Sequence, residues 1–317
     1  MRDKREGLTA VWLWRACGLA LVFVLMMPAS SRAHGVAGKR FFPTTFQVDD
    51  PFVSDEFSLL VNHIKEPEAK TTEVEVEFSK RITPNLGVSV GDSFRHQDFV
   101  DGGSARGLGN LDLGVKYQFL TSEEHEAILS IGTNVEFGGT GAHRVGADSF
   151  STVSPALFFG KGLGDLPEPL RYLRPFAITG VIGPNFPTRR SNVTIDADTG
   201  ETDIERNPTT LTWALSLQYS LMYLQSYVQD IGLGAPFNRM MLVAEFPMET
   251  CLSTGCDGQT TGTMNPGIVW AGKYMELGAA AQIPLNSRTG KNAGVLGLFH
   301  LFIDDLFPKG VGGPIFR

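Results

Sequence analysis

The sequence predicts an all-β protein, a transmembrane antiparallel up-and-down β-barrel of about 12 strands. Three observations lead to this fold class. Short segments with strict alternation of apolar and polar residues recur along the chain, the links between them tend to alternate in length, and no apolar run after the first residues is long enough to cross a membrane as a helix. Only helices and closed barrels satisfy their backbone groups in lipid. A membrane protein with this pattern would therefore be a barrel.

The chain begins with a predicted signal peptide. Basic residues precede the apolar run Gly18–Met27, and Ser31-Arg32-Ala33 places small residues at the two positions that a signal peptidase reads. We expect residues 1–33 to be removed after Ala33. This removes five basic and two acidic residues, so the net charge falls from −7 to −10. A chain this acidic has no general attraction for phosphate, and we expect no nucleic-acid partner.

The next residues, 34–55, show no sustained period. We interpret them as a periplasmic N-terminal segment and a possible plug of the barrel mouth, because the segment is long enough to occlude the mouth and contains Phe41-Phe42-Pro43. If they plug the barrel, deleting them should raise conductance. The predicted barrel covers residues 56–304, and residues 305–317 form a predicted periplasmic C-terminal tail.

The predicted strands follow one another to the end of the chain. Five alternate strictly, at 73–79, 111–119, 127–137, 211–221 and 275–283, and this alternation gives a strand two different faces. The others are rich in β-branched and aromatic residues between turn signals, and both faces of the last are apolar. These seven lie at about 56–64, 86–97, 151–161, 171–183, 238–246, 262–271 and 293–303.

The links favour a membrane barrel over a soluble sandwich. Short links are predicted at 84–85, 121–124, 164–170 and 272–274, and longer polar links at 65–72, 98–108, 138–150, 184–208, 248–261 and 286–292. Outer-membrane barrels have an even strand number, short periplasmic turns and longer extracellular loops. One link, 222–237, is long on the short side, and it either holds a turn of helix or marks a miscount. The predicted location is the outer membrane of a Gram-negative bacterium.

The polar faces of the regular strands supply candidate lumen residues. A polar lumen biased toward cations or neutral solutes is one reading, because acidic groups outnumber basic ones on these faces. A core filled by ion pairs with Lys80, Arg81 or Arg95 is the other. The candidates are Glu73, Glu75, Glu77, Asp112, Lys116, Gln118, Asn134, Glu136, Gln218, Glu245, Glu276 and Gln282.

Two cysteines remain after cleavage of the signal peptide. Cys251 and Cys256 are expected to form a disulfide in an oxidising compartment, since no His lies nearby to complete a metal site. The acidic loop at 196–203 departs from the EF-hand order. We therefore predict neither a metal site nor a cofactor.

The sequence contains no convincing catalytic constellation. Gly91-Asp92-Ser93-Phe94 resembles the nucleophile block of GDS-type lipases, but it lies within a predicted strand and no Asp-x-x-His follows near the C-terminus. A barrel phospholipase would need His and Ser two residues apart, and no His-x-Ser occurs. We expect the protein not to be an enzyme.

The layout of the chain resembles a family of outer-membrane transporters. A signal peptide, alternating strands throughout and a last strand Gly294–Phe302 are similar to the β-barrel family associated with meta-pathway phenol degradation. The resemblance implies a channel or transporter for passive uptake or efflux of small, hydrophobic or aromatic compounds. The alternative is a non-conducting surface protein whose loops bind a partner or lipopolysaccharide. Expected partners are outer-membrane lipid, lipopolysaccharide and a small solute, with the oligomeric state left open.

Overall fold

The computed structural model describes residues 35–195, 202–253, 256 and 258–316. The predicted signal peptide and most of the acidic loop at 196–203 lie outside these residues.

Twelve antiparallel strands close into a barrel, which confirms the predicted fold class. Neighbours in sequence pair with one another, and β12 pairs with β1 from Gly294↔Ile64 to Phe302↔Glu56 to close the sheet. Each predicted strand overlaps one observed strand. The strands are β1 Glu56–Lys65, β2 Ala69–Thr83, β3 Leu86–Phe99, β4 Leu111–Ser122, β5 Ala127–Phe137, β6 Thr152–Gly162, β7 Phe176–Pro187, β8 Thr210–Ser220, β9 Met240–Cys251, β10 Thr260–Ala271, β11 Met275–Pro284 and β12 Gly294–Phe302.

Two strands begin four or more residues away from their predicted starts. Strand β2 begins at Ala69 rather than near residue 73, so the link from β1 is only 66–68 and belongs to the short class. Strand β7 begins at Phe176 rather than near residue 171, because Glu168–Leu173 forms a 3-10 helix after Pro167. A proline is favoured in the first helical turn, and Pro169 cannot donate to a strand ladder.

The remaining links keep the predicted contrast between the two ends of the barrel only in part, because the link 163–175, predicted as a short one at 164–170, is longer than the links 252–259 and 285–293 of the other end. At the end of the barrel where β1 begins and β12 stops, the links are 84–85, 123–126, 163–175, 221–239 and 272–274. At the other end, the links are 100–110, 138–151, 188–209, 252–259 and 285–293. The link predicted at 222–237 is the link 221–239 between β8 and β9, so the strand count was right. It holds a helical turn Leu221–Tyr223, a π-helical turn Leu224–Val228 and a 3-10 turn Phe237–Arg239. None of the helices in the described ranges is both long and apolar enough to span a bilayer.

Three short strand pairs add to the twelve-strand ladder of the barrel wall, and they were not predicted. Val36–Ala37 pairs with Arg40–Phe41, and Ser191–Ile195 pairs with Thr202–Arg206. Ser104–Leu108 pairs with the upper part of β3, from Phe94 to Asp98. As a result, β4 pairs with β3 only from Leu86↔Tyr117 to Gly91↔Asp112, and the two strands separate beyond that level.

The strands place apolar side chains outside and mixed side chains inside. On β4, Leu113, Val115, Tyr117 and Phe119 are exposed on the outer face, as the alternation predicts. The structure also settles the parity of β12, where Leu296, Leu298, His300 and Phe302 are buried on the inner face. The C-terminal chain continues as a helical turn Ile303–Leu306 and folds back, so that Ile315 N–H donates to Arg81 O at 3.2 Å.

Candidate functional site

The N-terminal segment, residues 35–55, lies inside the barrel. Its aromatic and aliphatic side chains are buried against the inner wall, including Phe42, Phe46 and Val48. Phe41 and Phe46 join the largest apolar cluster, together with inward residues of β1 and β9–β12. Because an irregular segment has no regular ladder of its own, its backbone polar groups must find partners in the barrel wall.

Carboxylates of β9 and β11 supply many of these partners. Both oxygens of Glu245 accept hydrogen bonds, from Phe46 N–H at 2.8 Å and from Gln47 N–H at 3.0 Å. Glu276 Oε2 accepts from Thr44 N–H at 3.0 Å. Both carboxylates are fully buried. These hydrogen bonds satisfy backbone N–H groups that have no ladder partner, so they fix the segment on one side of the lumen.

The opposite wall also holds the segment through hydrogen bonds. Lys116 Nζ donates to Asp50 O at 2.8 Å, and Gln118 Oε1 accepts from Val53 N–H at 3.1 Å. Ser130 Oγ donates to Pro51 O. The segment thus crosses the lumen from β9–β12 to β4 and β5.

Arg40 clamps the start of the segment at the end of the barrel where the helical link lies. It is 1% exposed, and its Nε donates to Glu126 Oε2 at 3.2 Å. Its other nitrogens donate to Pro175 O at 2.9 Å and to Arg174 O. Its guanidinium also lies 3.9 Å from the ring centre of Tyr223. Burial lowers the pKa of Arg40 from its ordinary value, although the adjacent Glu126 opposes that shift.

Tyr223 completes the clamp from the helical link between β8 and β9. Its hydroxyl donates to Glu126 Oε1 at 2.9 Å, while Gly164 N–H donates to Glu126 Oε2 at 3.1 Å. Burial, together with the hydrogen bond to Glu126, raises the pKa of Tyr223 to about 12. The clamp therefore joins three links, namely 123–126, 163–175 and 221–239, to the N-terminal segment.

A cavity of about 690 Å³ remains between the N-terminal segment and strands β2–β6. The acidic residues that line it are Asp49, Asp50, Glu56, Glu73, Glu75, Glu77, Asp92, Asp112 and Glu136. The basic residues of its lining are Arg95 and Lys116, so nine acids face two bases. Arg95 pairs with Glu73 at 2.9 Å. The other base, Lys116, contacts the Asp50 carbonyl and lies 4.6 Å from the Phe158 ring centre.

The twelve predicted lumen residues fall into two groups. Seven line the cavity, namely Glu73, Glu75, Glu77, Asp112, Lys116, Asn134 and Glu136. The other five are Gln118, Gln218, Glu245, Glu276 and Gln282. Of these, Gln282 Nε2 donates to Gln47 Oε1 at 3.0 Å, and Gln218 is buried beside Thr179. Four of the five thus bind the N-terminal segment, which the strand pattern alone does not indicate.

Several residues of the lumen were missed by sequence reasoning. His300 is fully buried, with Nδ1 2.7 Å from Ser58 Oγ and Nε2 3.5 Å from Glu56 Oε2. It was missed because both faces of β12 are apolar, so the alternation does not show which face is inside. The single polar residue of the strand, His300, could have identified the inner face. Arg40 and Asp50 were missed because they lie in a segment without periodicity.

Other predicted features have the following positions. Cys251 is paired with Cys256, with Cα atoms 5.9 Å apart, a separation that suits a disulfide. Ser93 of the lipase-like block lies within β3, and its hydroxyl donates to Glu73 Oε1 at 2.9 Å. Within the described residues, no three His, Cys, Asp or Glu side chains are arranged to hold a metal ion.

One solved structure supports the fold, while the sequence comparisons found no relative. No family model and no curated protein matches the chain, so the resemblance to the meta-pathway phenol degradation family is not confirmed. Among solved structures, the COG4313 outer membrane channel from Pseudomonas putida F1 superposes with a TM-score of 0.55 at 11% identity, over 82% of this chain and 99% of that one. The NanC porin gives 0.48 at 7% identity, covering 78% and 98%. At these identities, the likeness to the first structure shows the fold.

Proposed function

We propose that the protein is an outer-membrane channel for passive passage of small solutes, and that it favours cationic and neutral solutes over anions. The observation that carries this proposal is the acid-lined cavity inside a closed barrel with an apolar outer surface. A row of exposed Val, Leu and aromatic side chains on the outside of β4 suits lipid, and the polar interior suits water.

Electrostatics support the cation preference. The cavity walls are low-dielectric protein, which focuses the field of the excess carboxylates into the water between them. Rings of Asp and Glu are the usual means by which a pore selects cations. Arg95 pairs with Glu73, and Lys116 donates to the N-terminal segment. Two bases face nine carboxylates in the lining, so the excess charge of the cavity is negative.

The proposed solute class includes small aromatic compounds without a negative charge. Phe46, Phe52 and Phe158 line the same cavity as the carboxylates. A solute with an aromatic ring and an amino or hydroxyl group could pack against these rings while its polar group faces the carboxylates. Aromatic carboxylates would meet repulsion. Potentials measured with benzyltrimethylammonium chloride on one side and potassium benzoate on the other would separate these two classes.

The N-terminal segment acts in this proposal as a fixed plug that narrows the lumen. Glu245 and Glu276 bind its backbone, and Arg40 binds Glu126, so the segment is anchored to the wall at several points. The cavity is the part of the lumen that the segment leaves unfilled. We expect deletion of residues 35–55 to raise single-channel conductance severalfold. Electrophoresis of the unheated variant in SDS serves as the control, because an intact barrel stays folded in SDS at room temperature and gives a separate band. An intact variant with unchanged conductance would contradict the plug.

Planar-bilayer recording of the purified protein tests the function. In a tenfold KCl gradient, the proposal expects discrete conductance steps and a zero-current potential with the sign of K⁺ selectivity. Anion selectivity would refute the cation preference. Absence of conductance from a correctly folded barrel would favour the non-conducting surface protein instead.

A further inference from the structure

We propose that a groove on the outer surface of the barrel binds a phosphorylated, multiply acylated glycolipid of the outer leaflet, such as lipid A. The groove lies where β3 separates from β4, and it measures about 600 Å³. Phe94, Leu108, Arg106 and Arg144 line it, together with residues 140–142. This inference rests on the outer-membrane placement proposed above, with the links 100–110 and 138–151 facing outside the cell.

The apolar half of the groove faces the membrane. Phe94 and Leu108 are cross-strand partners, and their side chains are 43% and 54% exposed. Phe94 lies eight residues beyond Leu86, whose partner Tyr117 stands at the opposite end of the outer face. Eight residues span about 27 Å along a strand, or about 20 Å of height at the tilt of a membrane barrel. Phe94 and Leu108 therefore fall inside an apolar band that is about 25 Å tall.

The cationic half lies directly above it. Arg106 is two residues from Leu108 on the same strand face, about 7 Å further from the membrane centre along the strand. Arg144 reaches the same place from the link 138–151, since its Nε donates to Arg106 O at 2.6 Å. Both arginines are exposed, and none of the eight described residues that line the groove is acidic.

The order of these groups selects the ligand class. Acyl chains would contact Phe94 and Leu108 from the lipid side, while phosphates on the head group would meet two guanidinium groups at the membrane surface. Guanidinium groups bind phosphate through paired hydrogen bonds. A soluble anion would contact only the two arginines and would make no contact with Phe94 and Leu108. Charge and apolar surface together therefore fit an anionic lipid better than free phosphate.

Native mass spectrometry of the full-length mature barrel in detergent tests this site with purified bisphosphorylated lipid A. We expect one tightly bound lipid per barrel and a loss of at least about tenfold in affinity in the double variant Arg106→Ala/Arg144→Ala, since two charge-assisted contacts are removed. The matched control is Arg189→Ala/Arg190→Ala, which removes two exposed arginines of another link on the same side. This control should retain the affinity of the natural sequence.

Two further binding measurements distinguish a site for the whole lipid from a site for acyl chains alone or for phosphate alone. The same lipid without its phosphates should bind at least about tenfold more weakly, and millimolar inorganic phosphate should not displace lipid A. Equal binding of the dephosphorylated lipid, displacement by phosphate alone, or equal loss in both double variants would overturn the proposal. Conductance of the Arg106→Ala/Arg144→Ala variant should stay unchanged, because the groove lies outside the lumen. Failure of lipid binding is thus separable from failure of the channel proposal.

Discussion

Replacing Arg40 by Met should strongly destabilise the barrel. The substitution preserves much of the side-chain volume but removes the ion pair to Glu126, two hydrogen bonds to backbone carbonyls and the contact with Tyr223. Glu126 is only 3% exposed and would remain as a buried charge. Breaking one partner of a buried pair typically lowers the free energy of unfolding by about 3–5 kcal/mol. We expect a loss in that range.

A double variant separates the ion pair from general packing damage. In Arg40→Met/Glu126→Gln the uncompensated charge is gone, so the loss in unfolding free energy should be smaller than in Arg40→Met alone. Lys39→Met provides the control, because Lys39 is the adjacent residue and its Nζ lies 5.6 Å from the ring centre of Tyr227. An exposed contact of this kind is worth about 1 kcal/mol or less.

Urea unfolding in detergent micelles measures these differences, with Trp213 and Trp270 in the barrel as fluorescent reporters. Refolding and unfolding curves must coincide for the free energies to be compared. A loss below about 1 kcal/mol in Arg40→Met would refute the clamp. A double variant less stable than Arg40→Met would show that the Arg40 charge is not the stabilising element.

Three further predictions follow from the lumen and its links. Glu75→Gln/Glu77→Gln should reduce the cation-to-anion permeability ratio severalfold, because these carboxylates line the cavity; an unchanged zero-current potential would place the selectivity elsewhere. Cys251 and Cys256 should resist alkylation until a reductant is added, as mass spectrometry would show, and a reactive thiol beforehand would exclude the disulfide. The raised pKa of Tyr223, about 12, should stabilise the folded barrel fully below pH 10, with this contribution lost as the pH rises through 12. Natural protein should therefore lose more stability than Tyr223→Phe across that window, and parallel losses would contradict the effect.

The barrel was largely predictable because its information is local. Strict alternation in residues 111–119 determines which side chains face lipid, and Leu113 and Val115 are exposed accordingly. The boundaries of β2 and β7 were harder, since polar residues at strand ends and Pro169 alter the ladder without changing the overall pattern. A register shift between Gln118 and Leu120 likewise leaves no clear trace in the sequence.

The interior was predictable only in part because its contacts are distant in sequence. The polar faces of β2, β4 and β5 were predicted to face the lumen, and seven of their residues lie around the cavity. The backbone of Phe46 and Gln47, by contrast, binds Glu245 nearly two hundred residues away. No local sequence pattern predicts such a contact. The alternation shows that a carboxylate faces the lumen, but it does not show whether its partner is water or the N-terminal segment. Of the ion pairs predicted for a filled core, Arg95 forms one with Glu73, whereas Lys80 and Arg81 pair with Asp55 of the N-terminal segment instead of with the predicted lumen carboxylates.

The zero-current potential of the natural protein in a tenfold KCl gradient tests the central claim most directly. An acid-lined passage predicts a potential of the sign of K⁺ selectivity, which weakens as salt is raised because the carboxylates are screened. A folded barrel that conducts anions preferentially, or that shows no conductance at all, would contradict the account.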